Sequence, residues 1–362
     1  MARRKVAAIA TALGLLALPA SSDRAGAAPP MFWGAYAEVR GAETSRMAVE
    51  YLDRLVGRKL AAIRVFSTWD QSFPDRFESW AADSGRVLVL SIKPRRADGT
   101  PILWKDIAAA RPGSALWADM VRIASQLQGI GRPVYVILHH EPEAALNLGF
   151  GTAAEFVGAW QTFVRAARSV PSSNLKFLWV LTDDAFSTGP GDRRFPGNWY
   201  PGDGSVDAIG ADVYNWYDCR GGQPTPWRSF AEIVEPLRRF GASHSSKELW
   251  IPELGSVEDA ADPSRKASWL RDVTTTLSSP GYEQFRGILY FHDEHDPSQF
   301  PRCDWWIDSS AQSVAAFAEM GRATRFGAVL DAAPPPGNGQ GNLPSVSTPA
   351  LAGQPAVRLE DA

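Results

Sequence analysis

Eight short apolar runs, at 32–36, 62–66, 87–92, 134–138, 177–181, 206–213, 248–251 and 287–291, recur along the chain. Strands that are apolar on both faces belong to sheets buried on both faces. Amphipathic stretches stand between them at 44–57, 74–83, 114–128, 152–168, 227–240 and 264–277, and a last one follows at 311–323. A Gly/Pro-rich loop follows the fifth run. In the first amphipathic stretch Met47, Leu52, Leu55 and Val56 return at helical spacing. Thr152 followed by Glu155 resembles a capping box that starts a helix. An alternation of strand and helix over residues 32–323 predicts the α/β class and a (β/α)8 TIM barrel. A doubly wound open sheet is the alternative. It calls for a G-x-G-x-x-G turn opening the first helix, and neither that turn nor a P-loop is in the sequence.

The two ends read differently from the middle. Arg3, Arg4 and Lys5 precede an apolar stretch from Val6 to Ala20, and Ala25-Gly26-Ala27 fits an A-x-A cleavage site. Residues 1–27 are expected to be a secretory signal peptide. The apolar stretch is short for a membrane anchor, which needs about 20 residues. Arg3-Arg4 also permits a twin-arginine route. Residues 28–325 are expected to form the barrel. Residues 326–362, rich in Pro, Gly and Ala, are expected to form a flexible tail. The 14 Trp, 17 Phe and 8 Tyr exclude a wholly disordered chain.

The net charge is −3, and removal of residues 1–27 leaves 33 Lys+Arg against 39 Asp+Glu. That balance carries no electrostatic footprint for nucleic acid. No later segment reads as a membrane span, and a monomer is expected. Cys219 and Cys303 are the two cysteines. An oxidising compartment favours one disulfide between them, with two free thiols as the alternative.

In such a barrel, chemistry gathers where the strands end. Glu141 follows the fourth strand and Glu253 the seventh. Those strands face each other across a barrel mouth. Two facing carboxyls are what glycosidic cleavage requires, one to protonate the leaving oxygen and one to attack the anomeric carbon. A strand-end glutamate can equally cap a helix or pair with an arginine such as Arg64. The pairing across the mouth, amid aromatics, favours the catalytic reading.

The segment Leu138-His139-His140-Glu141 resembles the strand-four acid/base segment of glycoside hydrolase family 26. That family holds β-mannanases and related β-glycanases within the retaining (β/α)8 glycosidase clan A. Ile251-Pro252-Glu253-Leu254-Gly255 resembles its nucleophile segment. Trp199-Tyr200-Pro201-Gly202-Asp203, running on to Tyr214, resembles its approach to strand six, and Phe32-Trp33-Gly34-Ala35-Tyr36 fits its first strand. The resemblance covers residues 31–310. It implies Glu141 as acid/base and Glu253 as nucleophile, with His140 positioning the acid and Tyr214 bonded to the nucleophile. It departs at Pro142-Glu143, at Leu181-Thr182-Asp183-Asp184 and at His292-Asp293-Glu294-His295.

Substrate contacts are expected from Tyr36, Arg64, Trp69, Trp199, Asp212, Trp216 and His292. Trp69, Trp199, Trp216, Trp305 and Trp306 read as loop indoles suited to stacking on sugar faces. His292 and His295 have a spacing that serves a metal on a helix, but here they leave a strand, so no metal ligands are assigned. A structural calcium near the Asp-rich loops stays open. The sequence therefore reads as a secreted, retaining, endo-acting hydrolase of a β-linked polysaccharide, β-mannan being one candidate, with no cofactor. The alternative is a catalytically lapsed barrel that binds carbohydrate or the cell wall.

Overall fold

The computed structural model describes residues 28–41, 43–171, 173–220, 225–294 and 303–330. Residues 1–27, read as a signal peptide, and 331–362 of the expected tail lie outside them, as does His295.

The strands are β1 (Phe32–Ala37), β2 (Ala62–Thr68), β3 (Val87–Lys93), β4 (Val134–Leu138), β5 (Leu175–Thr182), β6 (Ala208–Asn215), β7 (Glu248–Ser256) and β8 (Phe285–His292). All pair in parallel and in sequence order, and β1 closes on β8. The expected (β/α)8 barrel is what the chain forms. The helices packed outside are α1 (Ser45–Val56), α2 (Arg76–Asp83), α3 (Trp104–Ala109), α4 (Ala115–Gln128), α5 (Ala153–Ala167), α6 (Asp183–Phe186), α7 (Pro196–Trp199), α8 (Phe230–Ala242), α9 (Arg265–Ser278) and α10 (Ala311–Arg322). The capping box at Thr152 and Glu155 is present at the start of α5. Between β5 and β6 two single turns, α6 and α7, replace a full helix, because the Gly/Pro-rich stretch offers no apolar face. Helix α3 is an addition that the sequence patterning did not suggest.

The strands divide their side chains between two cores. Val87, Val89, Tyr135, Ile137, Leu178, Val180 and Trp250 fill the barrel interior. Leu88, Leu90, Val134, Val136 and Leu138, at the alternate positions, pack outward against the helices. Trp250 stops the base of the barrel, its ring 4.1 Å from Tyr135. Gly287 leaves room for that indole, since a Cβ there would sit 2.0 Å from it. Glu248 accepts hydrogen bonds from Tyr135, Lys176 and Trp250 around the same base. The open end is therefore the end where the strands finish.

Strand β7 carries an irregularity that sets up this open end. Gly210 pairs with Trp250, but Asp212 pairs with Glu253, so β7 has one residue more than β6 between these points. Pro252, which has no N–H to give to a ladder, occupies the bulge. The extra residue changes the parity of β7. Trp250 and Glu253 both turn inward although they are three apart.

The chain closes beyond the expected boundary at 325. Phe326 is fully buried and Ala328 donates its N–H to the Met31 carbonyl. Phe326 and Leu330 thus pack on the barrel as apolar anchors, while Val329 between them is exposed.

Candidate active site

The end of β4 departs from strand geometry. His139 and Glu141 have φ of 53° and 49°, in the left-handed region that L side chains avoid. Neither residue is glycine, so the turn holds strain of order 1–3 kcal/mol per residue that the surroundings must enforce. The enforcement is visible. His139 turns outward, where its Nδ1 accepts from Trp104 Nε1 at 3.1 Å and its ring packs on Phe150. Burial pushes that imidazole down to about 3, so it stays neutral. The Glu141 N–H donates to the Val180 carbonyl at 3.1 Å. Asn147 donates to the Glu141 carbonyl at 2.9 Å. The turn throws His140 and Glu141 into the barrel mouth instead of His139.

A cavity of about 470 Å³ occupies the mouth, and His140, Glu141, Asp212, Tyr214, Trp216 and Glu253 are among its walls. A second cavity of about 290 Å³ adjoins it over β1 to β3, lined by Tyr36, Arg64, Phe66, Lys93 and again His140. His140 stands between the two, with its ring on Phe66. Burial and the charge of Arg64 hold its imidazole neutral.

The two glutamates meet opposite environments. The Glu141 carboxyl accepts no hydrogen bond among the described residues. Burial first, then the charges of Glu253, Glu143 and Asp183, push its carboxyl well above the usual range. That favours the protonated acid. Glu253 takes the Tyr214 hydroxyl on Oε2 at 2.9 Å and the Arg64 guanidinium on Oε1 at 3.0 Å. Arg64 is itself buried and stacked against Phe66, which fixes its direction. A carboxyl pushed towards its acid form and one held by two donors, lining one cavity, are the kind of pair that acid-assisted nucleophilic displacement requires. Asp212 lies beside them on β6. Neither of its oxygens has a partner among the described residues. Burial and the neighbouring glutamates push it well above the usual range too.

The structure sorts the remaining expected contacts. Trp216 lines the cavity, and Tyr36 lines the second one with its hydroxyl bonded to Glu38. Arg64 reaches Glu253 as well as the second cavity. Three expected contacts are corrected. Trp69 is fully buried outside the barrel, with Nε1 on Asp119 at 3.1 Å and its ring on Phe163 of α5. Trp199 is buried against Trp104 and Phe156, with Nε1 on the Arg193 carbonyl. His292 is buried too, its Nδ1 accepting from the Ile307 N–H at 3.0 Å and its ring on Trp306. All three are held by the helical layer or a supporting loop, and none lines the cavity. Trp305 is likewise fully buried, packed on Tyr214 with ring centroids 4.8 Å apart. No group of three or more His, Cys, Asp or Glu able to hold a metal occurs among the described residues.

Cys219 and Cys303 form a disulfide with Cα atoms 4.9 Å apart. It joins the loop after β6, which carries Trp216, to the loop after β8, which carries Trp305. The sequence reading missed Arg220, which lies over Trp216 at 3.5 Å and lines the cavity. Its position one residue past Cys219 and four past Trp216 is the only trace it leaves in the sequence.

No protein-family model matches the chain. Endoglucanase H of Acetivibrio thermocellus is 24% identical over 288 residues, which is 77% of this chain and 29% of that protein. The chain thus spans less than a third of that relative's length. Among solved structures, it is similar to the catalytic domain of a family 26 endo-β-1,4-mannanase from Bacillus sp. JAMB-750, with a TM-score of 0.57 and 13% identity over 82% of this chain and 86% of that one. A modular endo-β-1,4-mannanase from Cellulomonas fimi gives 0.56 and 16% identity, covering 83% and 72%. A family 26 β-mannanase from Bacteroides ovatus gives 0.55 and 13%, covering 82% and 89%. No helix among the described residues is long and apolar enough to cross a membrane. The chain has the (β/α)8 barrel fold of the family 26 β-mannanase structures.

Proposed function

We propose that this chain is a retaining glycoside hydrolase that cleaves a β-linked polysaccharide by double displacement. One observation carries the reading: Glu141 and Glu253 line the same cavity, one pushed towards its acid form and the other held by Tyr214 and Arg64. Glu253 attacks the anomeric carbon and forms a glycosyl–enzyme ester. Glu141 gives its proton to the departing glycosidic oxygen. It then takes a proton from water, and the hydroxide so formed releases the sugar from Glu253. His140 stays neutral and packs beside the acid. Trp216 offers the cavity an indole face for a sugar ring. The resemblance to family 26 and the fold of its mannanases make β-mannan the first polymer to try. The name of the Acetivibrio thermocellus relative makes β-glucan the second. Export is consistent with the disulfide, which belongs to oxidising compartments.

The test is product release from β-mannan, β-glucan and xylan by the wild type beside Glu141→Ala and Glu253→Ala. Release by the wild type that both variants lose supports the mechanism and names the polymer. Release retained in either folded variant overturns the assignment of that residue.

A further inference from the structure

The wall of the cavity over β5 and β6 is lined by Arg193, Arg194 and Arg220. Neutral polysaccharides offer only hydroxyls, so the partners of these cations matter. Arg194 is spoken for by Asp192, at 3.2 and 3.3 Å. Arg193 gives one N–H to the Glu143 carbonyl at 2.7 Å and has no carboxylate within ion-pair distance among the described residues. Arg220 has neither hydrogen bond nor ion pair among them, and its buried Nε is unpartnered. Arg220 feels the charges of Asp184, Asp183 and Glu141 on the same cavity wall, but none of them is within ion-pair distance of it among the described residues, and Arg228 already contacts both aspartates, at 3.3 and 3.5 Å. Arg220 is nonetheless held in place. Its guanidinium lies on the Trp216 indole, and the preceding residue is fixed through the disulfide to Cys303.

A partly desolvated guanidinium with free in-plane donors is a preorganised receptor for a planar oxyanion. We infer that the glycan accepted here bears a carboxylate, as a uronic acid does, on the portion lying over β5 and β6, and that Arg220 with Arg193 binds it. The inference rests on the glycosidase reading of the same cavity and extends it to a substrate class. The charges around the acid agree with it. The cation of Arg220 opposes the upward displacement of Glu141. A carboxylate seated on Arg220 cancels that opposition, so Glu141 keeps its proton best when such a substrate is bound.

The experiment uses the intact protein and β-linked polymers that bear glucuronate, namely glucuronoxylan, xanthan and gellan. Each is paired with its carboxyl-reduced form, which keeps the linkages and loses the charge. Affinity electrophoresis reads binding and reducing-end release reads cleavage. The expected result is preference for an acidic polymer over its reduced partner by about tenfold or more, the scale of a charge-assisted contact. In Arg220→Gln the preference collapses towards unity, and Arg220→Lys restores part of it. Equal treatment of both forms, or an undiminished preference in Arg220→Gln, overturns the inference. Selective retardation by an acidic polymer without cleavage of any polymer upholds the carboxylate site and overturns the glycosidase reading instead. Cleavage of neutral polymers alone does the reverse.

Discussion

Tyr214 donates its hydroxyl to Oε2 of Glu253 at 2.9 Å, from the neighbouring strand and two residues past the point where Asp212 pairs with Glu253. Burial and the adjacent carboxylates hold the phenol protonated, so its O–H remains available to donate to Glu253. Removing it leaves Arg64 as the one donor to the Glu253 carboxyl among the described residues. Tyr214→Phe is expected to lower kcat by about 10- to 100-fold, the range for a hydrogen bond to a charged group, with little change in KM. Steady-state kinetics on the polymer that proves to be cleaved decides it. A KM effect with kcat intact would move Tyr214 from the nucleophile to the sugar.

The pH profile follows from the raised carboxyl of Glu141. The proposed mechanism needs that group protonated, so activity is expected to be lost as the pH rises through its elevated pKa. The alkaline limb of kcat/KM is therefore expected well above the range of an ordinary glutamate. Glu141→Gln removes that limb. Azide, which needs no base to attack the glycosyl–enzyme, is expected to speed its breakdown in Glu141→Ala. A limb unchanged in Glu141→Gln assigns it to another group.

Glu143 supplies a prediction about stability. It is fully buried, accepts from the Thr182 N–H and hydroxyl at 2.8 and 2.7 Å, and burial pushes it up to about 7. Between about pH 4.5 and 7 the folded protein keeps a proton here that the unfolded chain has lost, so stability falls as pH rises through that window. Glu143→Gln abolishes this contribution. Its stability relative to wild type is expected to improve between pH 4.5 and pH 8, by at most about 3 kcal/mol, seen as a gain in relative Tm. Thermal melts at the two pH values measure it, and a constant difference between the proteins counts against it.

Two tryptophans that look alike in sequence are expected to separate in experiment. Trp69→Ala empties a buried site beside Phe163 and should cost about 3–5 kcal/mol of stability, with kinetics near normal while the protein is folded. Trp216→Ala removes the surface on which Arg220 lies and should raise KM with a small change in Tm. Melting and kinetics on both variants compare them directly.

The disulfide is expected to matter more to the cavity than to the barrel. Cys219 and Cys303 tie together the loops that carry Trp216 and Trp305, while all eight strands pair without it. Replacing both cysteines by serine is expected to cut kcat/KM by about tenfold or more, since displacements near 1 Å can cost a hundredfold. The far-UV circular dichroism at assay temperature should stay native. Full activity in the double variant would assign the bond to stability alone.

The barrel was legible because strands buried on both faces leave continuous apolar runs, and the spacing of eight such runs admits few other arrangements. The gathering of Glu141, Glu253, His140 and Tyr214 around one cavity was legible for a related reason: each follows or ends a run, where the strands must open to solvent. The bulge at Pro252 that turns Glu253 inward left only the proline as a sign. Trp69, Trp199 and His292 were misplaced because proximity to a strand end does not reveal which layer a side chain enters. Trp69 and Trp199 turn to the helices, and His292 is claimed by the Ile307 N–H. Arg220 lies in a loop without periodicity, so only contacts in space disclose it.

The indole of Trp250 makes the barrel a socket with one opening. A long glycan of the kind proposed cannot be threaded through its axis, and can only be laid across the rim. Both fragments must then leave by the side from which the chain arrived, so each cut ends with two departures through one doorway. Loops around that rim, tethered by the Cys219–Cys303 bond, therefore govern arrival and release alike. A change there that tightens the grip on a substrate will also slow the clearing of its products.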